Sequence, residues 1–363
     1  MRPLIRLAAC ASLAAVAAIW STWTLADEFR IGVVAPLTGT SARLGAQIRA
    51  GAEAAAASAE PAAILEVVDD QCNAEGGTKA ARQLAEAKVA IAVGFLCTES
   101  IEAAMPILKE AGIPVIPVGV RTNSLTDKKI KTGWPVFRLA PRADAEGAAV
   151  SSVLVNLWRS ELFAIIDDGT IYGRELAETL RAETEKDGLE PVYVDTFRPQ
   201  LQNQIGLAGR LRKAGATHVF VGGDLEDIAI LGRDAAGLGY DLTIAAGETL
   251  RSAVSDVPLR AGTLMIGLPE WSEIAIPAAV AAIKSRGVEA EGYALPTYAA
   301  IEIAIAALAK AQGRGGPLLD SLAKDEFTTA IGTIGFDEKG DLKESPYRLF
   351  RFDGTKFVEA GTQ

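Results

Sequence analysis

The chain has 363 residues, enough for two domains of ordinary size and too many for one small hydrophobic core. Apolar residues make up 49% and charged residues 23%, proportions typical of a globular protein rather than a disordered or fibrous one. The net charge of −10, with no long run of lysines and arginines, argues against nucleic acid or an anionic membrane surface as a partner.

The N-terminus has the three parts of a secretory signal peptide. Arg2 and Arg6 give a basic start, residues 7–19 are almost wholly apolar, and a Thr-Leu pair precedes Ala26. The apolar stretch is shorter than the roughly 20 residues that a retained membrane anchor needs. We therefore expect export from the cytoplasm and cleavage after Ala26.

The cysteines are interpreted together with this signal. Cys10 lies in a lipoprotein-like Leu-Ala-Ala-Cys sequence, but inside the apolar stretch, so we assign it to the signal peptide. Cleavage leaves Cys72 and Cys97. An even pair in an oxidising compartment favours a disulfide, and two buried free thiols are the alternative.

Short apolar runs alternate with longer helical patterns along the rest of the chain. In the first half we predict strands at 29–35, 64–68, 89–93 and 113–116, and helices at 42–58, 78–87 and 98–110. After Pro141 the alternation resumes, with predicted strands at 162–167, 192–195, 218–221, near 244 and at 262–267, and predicted helices at 143–159, 172–187, 204–214, 225–238, 276–286 and 297–311. A hairpin-like end is expected over 335–357. This order predicts an α/β protein with two parallel-sheet lobes.

No flexible linker separates the two halves. The connecting segments at 137–141 and 268–271 read as short extended crossovers, which would let the lobes hinge about a cleft. Ligands of open α/β sheets bind beyond the carboxyl ends of the strands. The turns of interest therefore follow Val93, Ile116, Ile166, Val221 and Ala245.

The sequence contains none of the catalytic motifs expected of a histidine-dependent or metal-dependent enzyme. Its single histidine, His218, lies in a predicted strand, which excludes histidine-based triads and histidine-rich metal sites. Two pairs of adjacent aspartates, 69–70 and 167–168, are candidate carboxylate pairs. Adjacent strand residues point to opposite faces, however, and aspartates at strand ends usually cap turns. We predict no enzymatic activity, no metal and no cofactor.

Four motifs carry a family resemblance over essentially the whole mature chain: IGVVAPLTG at 31–39, VVDDQC at 67–72, GFLCTES at 94–100 and GFDEKGDLK at 335–343. In this order and spacing they resemble the leucine/isoleucine/valine-binding proteins, the periplasmic receptors of branched-chain amino-acid ABC importers. The resemblance implies a type I periplasmic-binding fold, two doubly wound lobes joined by three hinge crossovers. It also implies a Cys72–Cys97 disulfide and final strands, over 347–357, that return to the second lobe.

The resemblance places the lobe boundaries as well. We expect the first lobe to comprise 27–140 and 270–345, and the second lobe 141–269 and 346–363. The protein is then a periplasmic, monomeric receptor that captures an amino acid or amino-acid-like molecule and delivers it to a membrane permease. A sensing receptor of the same fold, and a receptor for a carboxylic acid, amide or urea-type ligand, remain as alternatives.

The same resemblance nominates ligand-binding residues. Thr98, after a strand and at a helix start, would bind the ligand carboxylate, its alternative role being an ordinary N-cap. Glu248 would accept the ligand ammonium. Backbone groups of Gly119 and Val120 would contact the ligand from the first lobe. Tyr172 would close over it, or pack on the surface as many helix-start tyrosines do.

Some positions depart from the family pattern. Arg121 replaces a small hydroxyl residue and would bind a ligand carboxylate or remain a solvated loop arginine. Asp224 replaces a tyrosine, and Leu44 another aromatic residue. Arg121 and Asp224 would either pair across the closed cleft or read further polar groups of the ligand. Apolar wall candidates, each equally suited to the core, are Leu96 and Tyr293.

Overall fold

The computed structural model of the protein describes residues 29–251 and 255–361. The predicted signal peptide, its cleavage after Ala26 and the role given to Cys10 lie outside the described residues.

The described residues alternate strands with helices along the chain. The strands are β1 (Phe29–Ala35), β2 (Ala63–Asp69), β3 (Ile91–Gly94), β4 (Val115–Pro117), β5 (Phe163–Asp167), β6 (Tyr193–Thr196), β7 (His218–Gly222), β8 (Thr243–Ala246), β9 (Leu264–Gly267), β10 (Glu326–Thr329), β11 (Gly332–Gly335), β12 (Arg348–Phe352) and β13 (Phe357–Glu359). The helices are α1 (Ala42–Ala57), α2 (Ala74–Glu86), α3 (Thr98–Glu110), α4 (Ser124–Asp127), α5 (Lys129–Thr132), α6 (Ala145–Leu157), α7 (Ile171–Lys186), α8 (Ile205–Ala214), α9 (Leu225–Gly237), α10 (Trp271–Ile274), α11 (Pro277–Lys284), α12 (Ala294–Arg314) and α13 (Leu318–Lys324). A 3-10 helix follows β8 at Glu248–Arg251.

The first lobe is built on a parallel sheet with strand order β2-β1-β3-β4. Helices cover both of its faces: α1 and α12 contribute to one hydrophobic core, and α2 and α3 to the other. Such double coverage explains why β1 and β3 are continuous apolar runs without alternation. The later hairpin of β10 and β11 also packs into the first lobe, through Phe327 and Ile334.

Helix α12 is the one described helix with the length and composition to cross a membrane; its most apolar window has a mean hydropathy of 1.4. In this fold 67% of that window is buried. The helix lies against α1, where a Cβ on Gly51 would stand 2.0 Å from the carbonyl oxygen of Ala294. The contact requires glycine, and it identifies α12 as a core helix of the first lobe.

Helix α2 begins four residues before its predicted start. A pair of glycines in its first turn, Gly76 and Gly77, weakens the helical signal in the sequence. The structure explains the pair, because a Cβ at either position would lie 2.1 Å from a backbone oxygen, that of Asp70 or of Ser100. The helix starts here because the side chain of Asn73 accepts a hydrogen bond from the Gly76 backbone N–H at 2.8 Å.

Replacing Asn73 with alanine is expected to lower the free energy of unfolding by about 1 kcal/mol, the usual contribution of such a cap. Chemical unfolding followed by circular dichroism measures the change. Asn203, exposed in a loop, provides the matched control, and its alanine variant should stay within about 0.5 kcal/mol of the parent. Equal losses in the two variants would contradict the capping role.

The second lobe is a seven-stranded sheet with order β13-β12-β9-β8-β7-β5-β6. Strands β5 to β9 run parallel, whereas β12 pairs antiparallel with β9 and β13 with β12. Helices α6 and α7 pack on one face, and α8 and α9 on the other. The return of the final strands to this lobe is confirmed. The hairpin-like end expected over 335–357 is confirmed for β12 and β13, but its predicted start is wrong, because Gly335 belongs to β11, which pairs with β10 in the first lobe.

Three chain segments connect the lobes, before α6, between β9 and α10, and between β11 and β12. The first and third are held together by a buried ion pair. Arg138, which is 0% exposed, donates to Asp341 Oδ1 from Nε at 2.8 Å and from Nη2 at 2.6 Å. Nη2 also donates to the Thr126 hydroxyl at 2.6 Å. Most of the Arg138 donors are therefore satisfied inside the protein.

Arg142 extends this ionic cluster toward the second lobe. Its guanidinium contacts Asp127 at 3.0 Å, Asp144 at 2.8 Å and Asp341 at 3.0 Å. Hydrogen bonds from Arg142 and then from Lys339 hold the pKa of Asp127 at about 2. Acidic and basic groups balance within the cluster, which fixes the connecting segments relative to α4.

Candidate functional site

A cavity of about 590 Å³ opens between the two lobes. Its lining combines Gly119, Arg121 and Tyr293 with Glu248 and Arg251, which come from opposite lobes. The carboxyl ends of β4 and β8 deliver two of these residues, Arg121 and Glu248, as the strand topology predicts. The cavity therefore brings a cationic and an anionic side chain from separate lobes to one space.

Arg121 follows β4 and is half-buried. Its Nη2 donates a hydrogen bond to the phenol oxygen of Tyr347, the residue before β12. Within residues 29–251 and 255–361 no carboxylate lies within 4.0 Å of this guanidinium, in contrast to the paired arginines Arg138 and Arg142. Five N–H donors with one neutral partner leave Arg121 able to take an anionic group bidentately.

Glu248 begins the 3-10 helix after β8 and is also half-buried. Burial raises the pKa of its carboxyl group, and the negative charge of Glu146 raises it further. The positive charges of Arg121 and Arg251 act in the opposite direction. Glu248 is thus a carboxylate held in an environment that favours a positively charged partner.

Glu146, which the sequence analysis did not single out, lies directly behind Glu248. It is 7% exposed and sits in the first turn of α6. Its Oε1 accepts the backbone N–H of Glu248 at 2.7 Å and the hydroxyl of Tyr172 at 2.6 Å. In the sequence it looks like an ordinary acidic residue of a helix start, since its partners are 26 and 102 positions away.

Tyr172 and Tyr347 contact the charged residues of the site but do not line the cavity in this arrangement. Burial raises the pKa of the Tyr172 phenol, which donates to Glu146 rather than facing the surface. Burial likewise raises the pKa of Tyr347, whose neighbours include Arg121, Glu248 and Glu146. Tyr172 thus holds the acidic pair through Glu146, and Tyr347 holds Arg121.

Of the remaining first-lobe residues predicted to contact the ligand, one lines the cavity and the others pack behind its wall. Tyr293 lines the cavity, and Leu96 lies against Gly119, where a Cβ would be 2.3 Å from its Cδ2. Glycine at 119 is therefore required for close packing of Leu96. The Val120 side chain is 1% exposed and points into the core, so only its backbone is available to a ligand.

Thr98 and Asp224 do not line the cavity in this arrangement. Thr98 is the first residue of α3, whose N-cap is Cys97, so the alternative reading of Thr98 as an N-cap is wrong. Asp224 is exposed and caps α9 by accepting the Asp227 backbone N–H at 2.9 Å. The pairing of Arg121 with Asp224, one of the two alternatives for the closed cleft, is not formed in this arrangement, where Arg121 donates to Tyr347 instead.

The other candidate groups have structural roles. Cys72 and Cys97 form a disulfide with 5.2 Å between their Cα atoms, joining the loops after β2 and β3. Asp69 accepts the Leu37 backbone N–H at 2.8 Å, and Asp70 accepts the Ser100 hydroxyl at 2.5 Å. Both aspartates therefore accept hydrogen bonds at the end of a strand, the structural role that the sequence predicts for them. Among the described residues, no cluster of three or more histidine, cysteine, aspartate or glutamate side chains is arranged to hold a metal ion.

Comparison with known proteins places this architecture in a family. The sequence profile of the periplasmic binding protein family matches residues 28–356, and the chain belongs to that family. It is 27% identical over 346 residues to "Leu/Ile/Val-binding protein homolog 3" of Brucella melitensis, covering 91% of this chain and 93% of that protein.

Solved structures agree on the fold. One is the ABC transporter substrate-binding protein of Desulfitobacterium hafniense in complex with Leu, at 20% identity and a TM-score of 0.63, covering 92% of this chain and all of that one. Another is a solute-binding protein of an ABC transporter from Rhodopseudomonas palustris in complex with p-hydroxybenzoic acid, at 16% identity and a TM-score of 0.61, covering 92% and 95%. The chain thus has the type I periplasmic-binding fold.

Proposed function

We propose that this protein is the periplasmic receptor of an ABC importer and captures an amino acid or amino-acid-like molecule between its lobes. The observation that carries the proposal is the placement of Arg121 and Glu248, from opposite lobes, on one cavity. A ligand with one anionic and one cationic group would satisfy both side chains at once. Release of the ligand would leave both side chains facing the open cavity again.

The chemistry of each end supports this assignment. A ligand carboxylate would replace the Tyr347 hydroxyl as the partner of Arg121 and gain a bidentate, charge-assisted hydrogen bond. An ammonium group would neutralise Glu248, whose carboxylate is costly to bury without a cation. Tyr293 and Leu139 supply apolar surface between the two ends.

We propose that binding closes the lobes, with the first lobe comprising 27–140 and 270–345 and the second 141–269 and 346–363. Closure would bring Thr98 and Asp224 nearer the ligand than they are here, and would present a new composite surface to the permease. A single chain with one cleft needs no second copy, so we expect a monomer without a cofactor.

Thermal-shift screening of the mature protein tests the proposal. We expect at least one amino acid to raise the Tm, because a ligand at 100 times its Kd stabilises a protein by about 2.7 kcal/mol. The panel pairs amino acids with carboxylic acids, amides and urea. If only ligands without an amino group raise the Tm, the role proposed for Glu248 is wrong, and the stabilising class identifies the cavity as that of a carboxylic-acid, amide or urea-type receptor.

An uptake assay distinguishes the importer role from a sensing role of the same fold. We expect deletion of the gene to abolish uptake of the radiolabelled ligand found in the screen. Normal uptake, combined with loss of a transcriptional or behavioural response to that ligand, would favour a sensing receptor over the importer role.

A further inference from the structure

We propose that Glu146 is a specificity-determining positioning residue, which makes the polar end of the cavity a two-carboxylate site and selects ligands that carry an amino group over the same acids without one. The proposal rests on the function proposed above. It assigns to a buried helix residue the discrimination between zwitterionic and purely anionic ligands.

The geometry shows how Glu146 acts through Glu248. The hydrogen bond from the Glu248 backbone N–H to Glu146 Oε1, 2.7 Å long, fixes the start of the 3-10 helix. The bond from Tyr172 to the same oxygen, 2.6 Å long, holds the Glu146 side chain in turn. A Cβ on Gly247 would lie 2.4 Å from Glu146 Oε1 and from the Tyr172 hydroxyl, so these groups are closely packed.

The charge of Glu146 matters because it is buried beside a second carboxylate. No arginine or lysine lies within 4.0 Å of Glu146 among the residues that the structure describes. Glu146 does not line the cavity itself, and its negative charge acts on the neighbouring carboxylate of Glu248, which does. A ligand ammonium at Glu248 would be attracted by both carboxylates, whereas a ligand lacking that group would gain nothing from either and would leave only Arg121 and Arg251 to offset the two negative charges.

Several groups face Glu248 and set its titration. From other elements these are Glu146 of α6, Arg121 after β4 and Tyr347 before β12, and from its own helix Arg251. Glu146 raises the pKa of Glu248, and the arginines lower it. Removing the Glu146 charge should therefore lower the pKa of Glu248.

The test compares Glu146→Gln with the parent by isothermal titration calorimetry at pH 8. The probes are L-leucine with 4-methylpentanoate and L-phenylalanine with 3-phenylpropanoate. Glutamine keeps an oxygen to accept from Tyr172 and Glu248 and removes only the charge. We expect amino-acid affinity to fall about tenfold, with the affinity for the amino-free acids unchanged or raised. Glu190→Gln removes an equal charge from an exposed residue outside the cavity and should change affinity less than twofold.

A second measurement needs no ligand. The side-chain carboxyl ¹³C resonance of Glu248, assigned by its loss in Glu248→Gln, should titrate at lower pH in Glu146→Gln than in the parent. An unchanged titration, or equal losses of affinity for both members of each probe pair, would overturn the proposal. Binding of the amino-free acids in preference to amino acids by the parent would instead overturn the proposed function, while the titration still decides the role of Glu146.

Discussion

Replacing Asp341 with asparagine is expected to lower the free energy of unfolding by about 3–5 kcal/mol, the loss typical of removing one partner from a buried ion pair. Arg138 is fully buried and donates two hydrogen bonds to Asp341 Oδ1. Asparagine keeps the size and one acceptor oxygen but leaves the guanidinium charge uncompensated. Arg142 loses a charged partner at the same time.

Urea unfolding, followed by fluorescence and circular dichroism together, measures this loss. Asp320→Asn is the matched control, since it breaks only an exposed helix pair with Lys324 at 2.8 Å, and should cost less than about 1 kcal/mol. A double variant, Arg138→Met with Asp341→Leu, should lose less than Asp341→Asn alone, because it leaves no unpaired charge. A loss below about 1 kcal/mol in Asp341→Asn would contradict this view of the connecting segments.

Replacing Glu248 with glutamine is expected to weaken binding of the best amino acid in the thermal-shift screen by at least about a hundredfold, as for removal of one partner from a desolvated charge pair. The variant retains shape and an acceptor oxygen, so the loss reports the charge. Calorimetry at pH 8 measures it. Glu190→Gln, at an exposed residue outside the cavity, should change affinity less than about threefold.

The free Glu248→Gln protein should be as stable as the parent, or more so, at pH 8. Because folding raises the pKa of this carboxyl group, its ionisation opposes folding at high pH, and that cost disappears as the pH falls through the raised value. Ligand binding to the parent should weaken as the pH falls, because protonation of Glu248 removes the charge that binds the ligand ammonium. Full affinity in Glu248→Gln would show that the ammonium is bound elsewhere.

Much of the fold could be predicted because buried parallel strands are short continuous apolar runs. β1 and α3 have the predicted limits. β10 was missed, since Glu326–Thr329 alternates exposed and buried residues over only four positions. Its pairing with β11 could not be seen from the sequence, in which Gly335 instead looked like the start of one long terminal hairpin.

Prediction of the site was uneven for a similar reason. Strand topology marked the turns that contain Arg121 and Glu248, and the family resemblance then nominated these two residues within them. Glu146 and Tyr347 could not be nominated, because each reaches the site from a helix start or a connecting segment. Their contacts with Glu248 and Arg121 span 102 and 226 positions, distances over which no local pattern carries information.

The chain path has a consequence for biosynthesis. The first lobe needs α12 against α1 and the late β10–β11 hairpin, and the second lobe needs β12 beside β9. A polypeptide that emerges from its N-terminus onward can complete the α2–α3 core of the first lobe, whose residues lie within 34–136, but the other three hydrophobic cores need residues beyond 330. Stable packing of both lobes is therefore expected only when almost the whole chain is available.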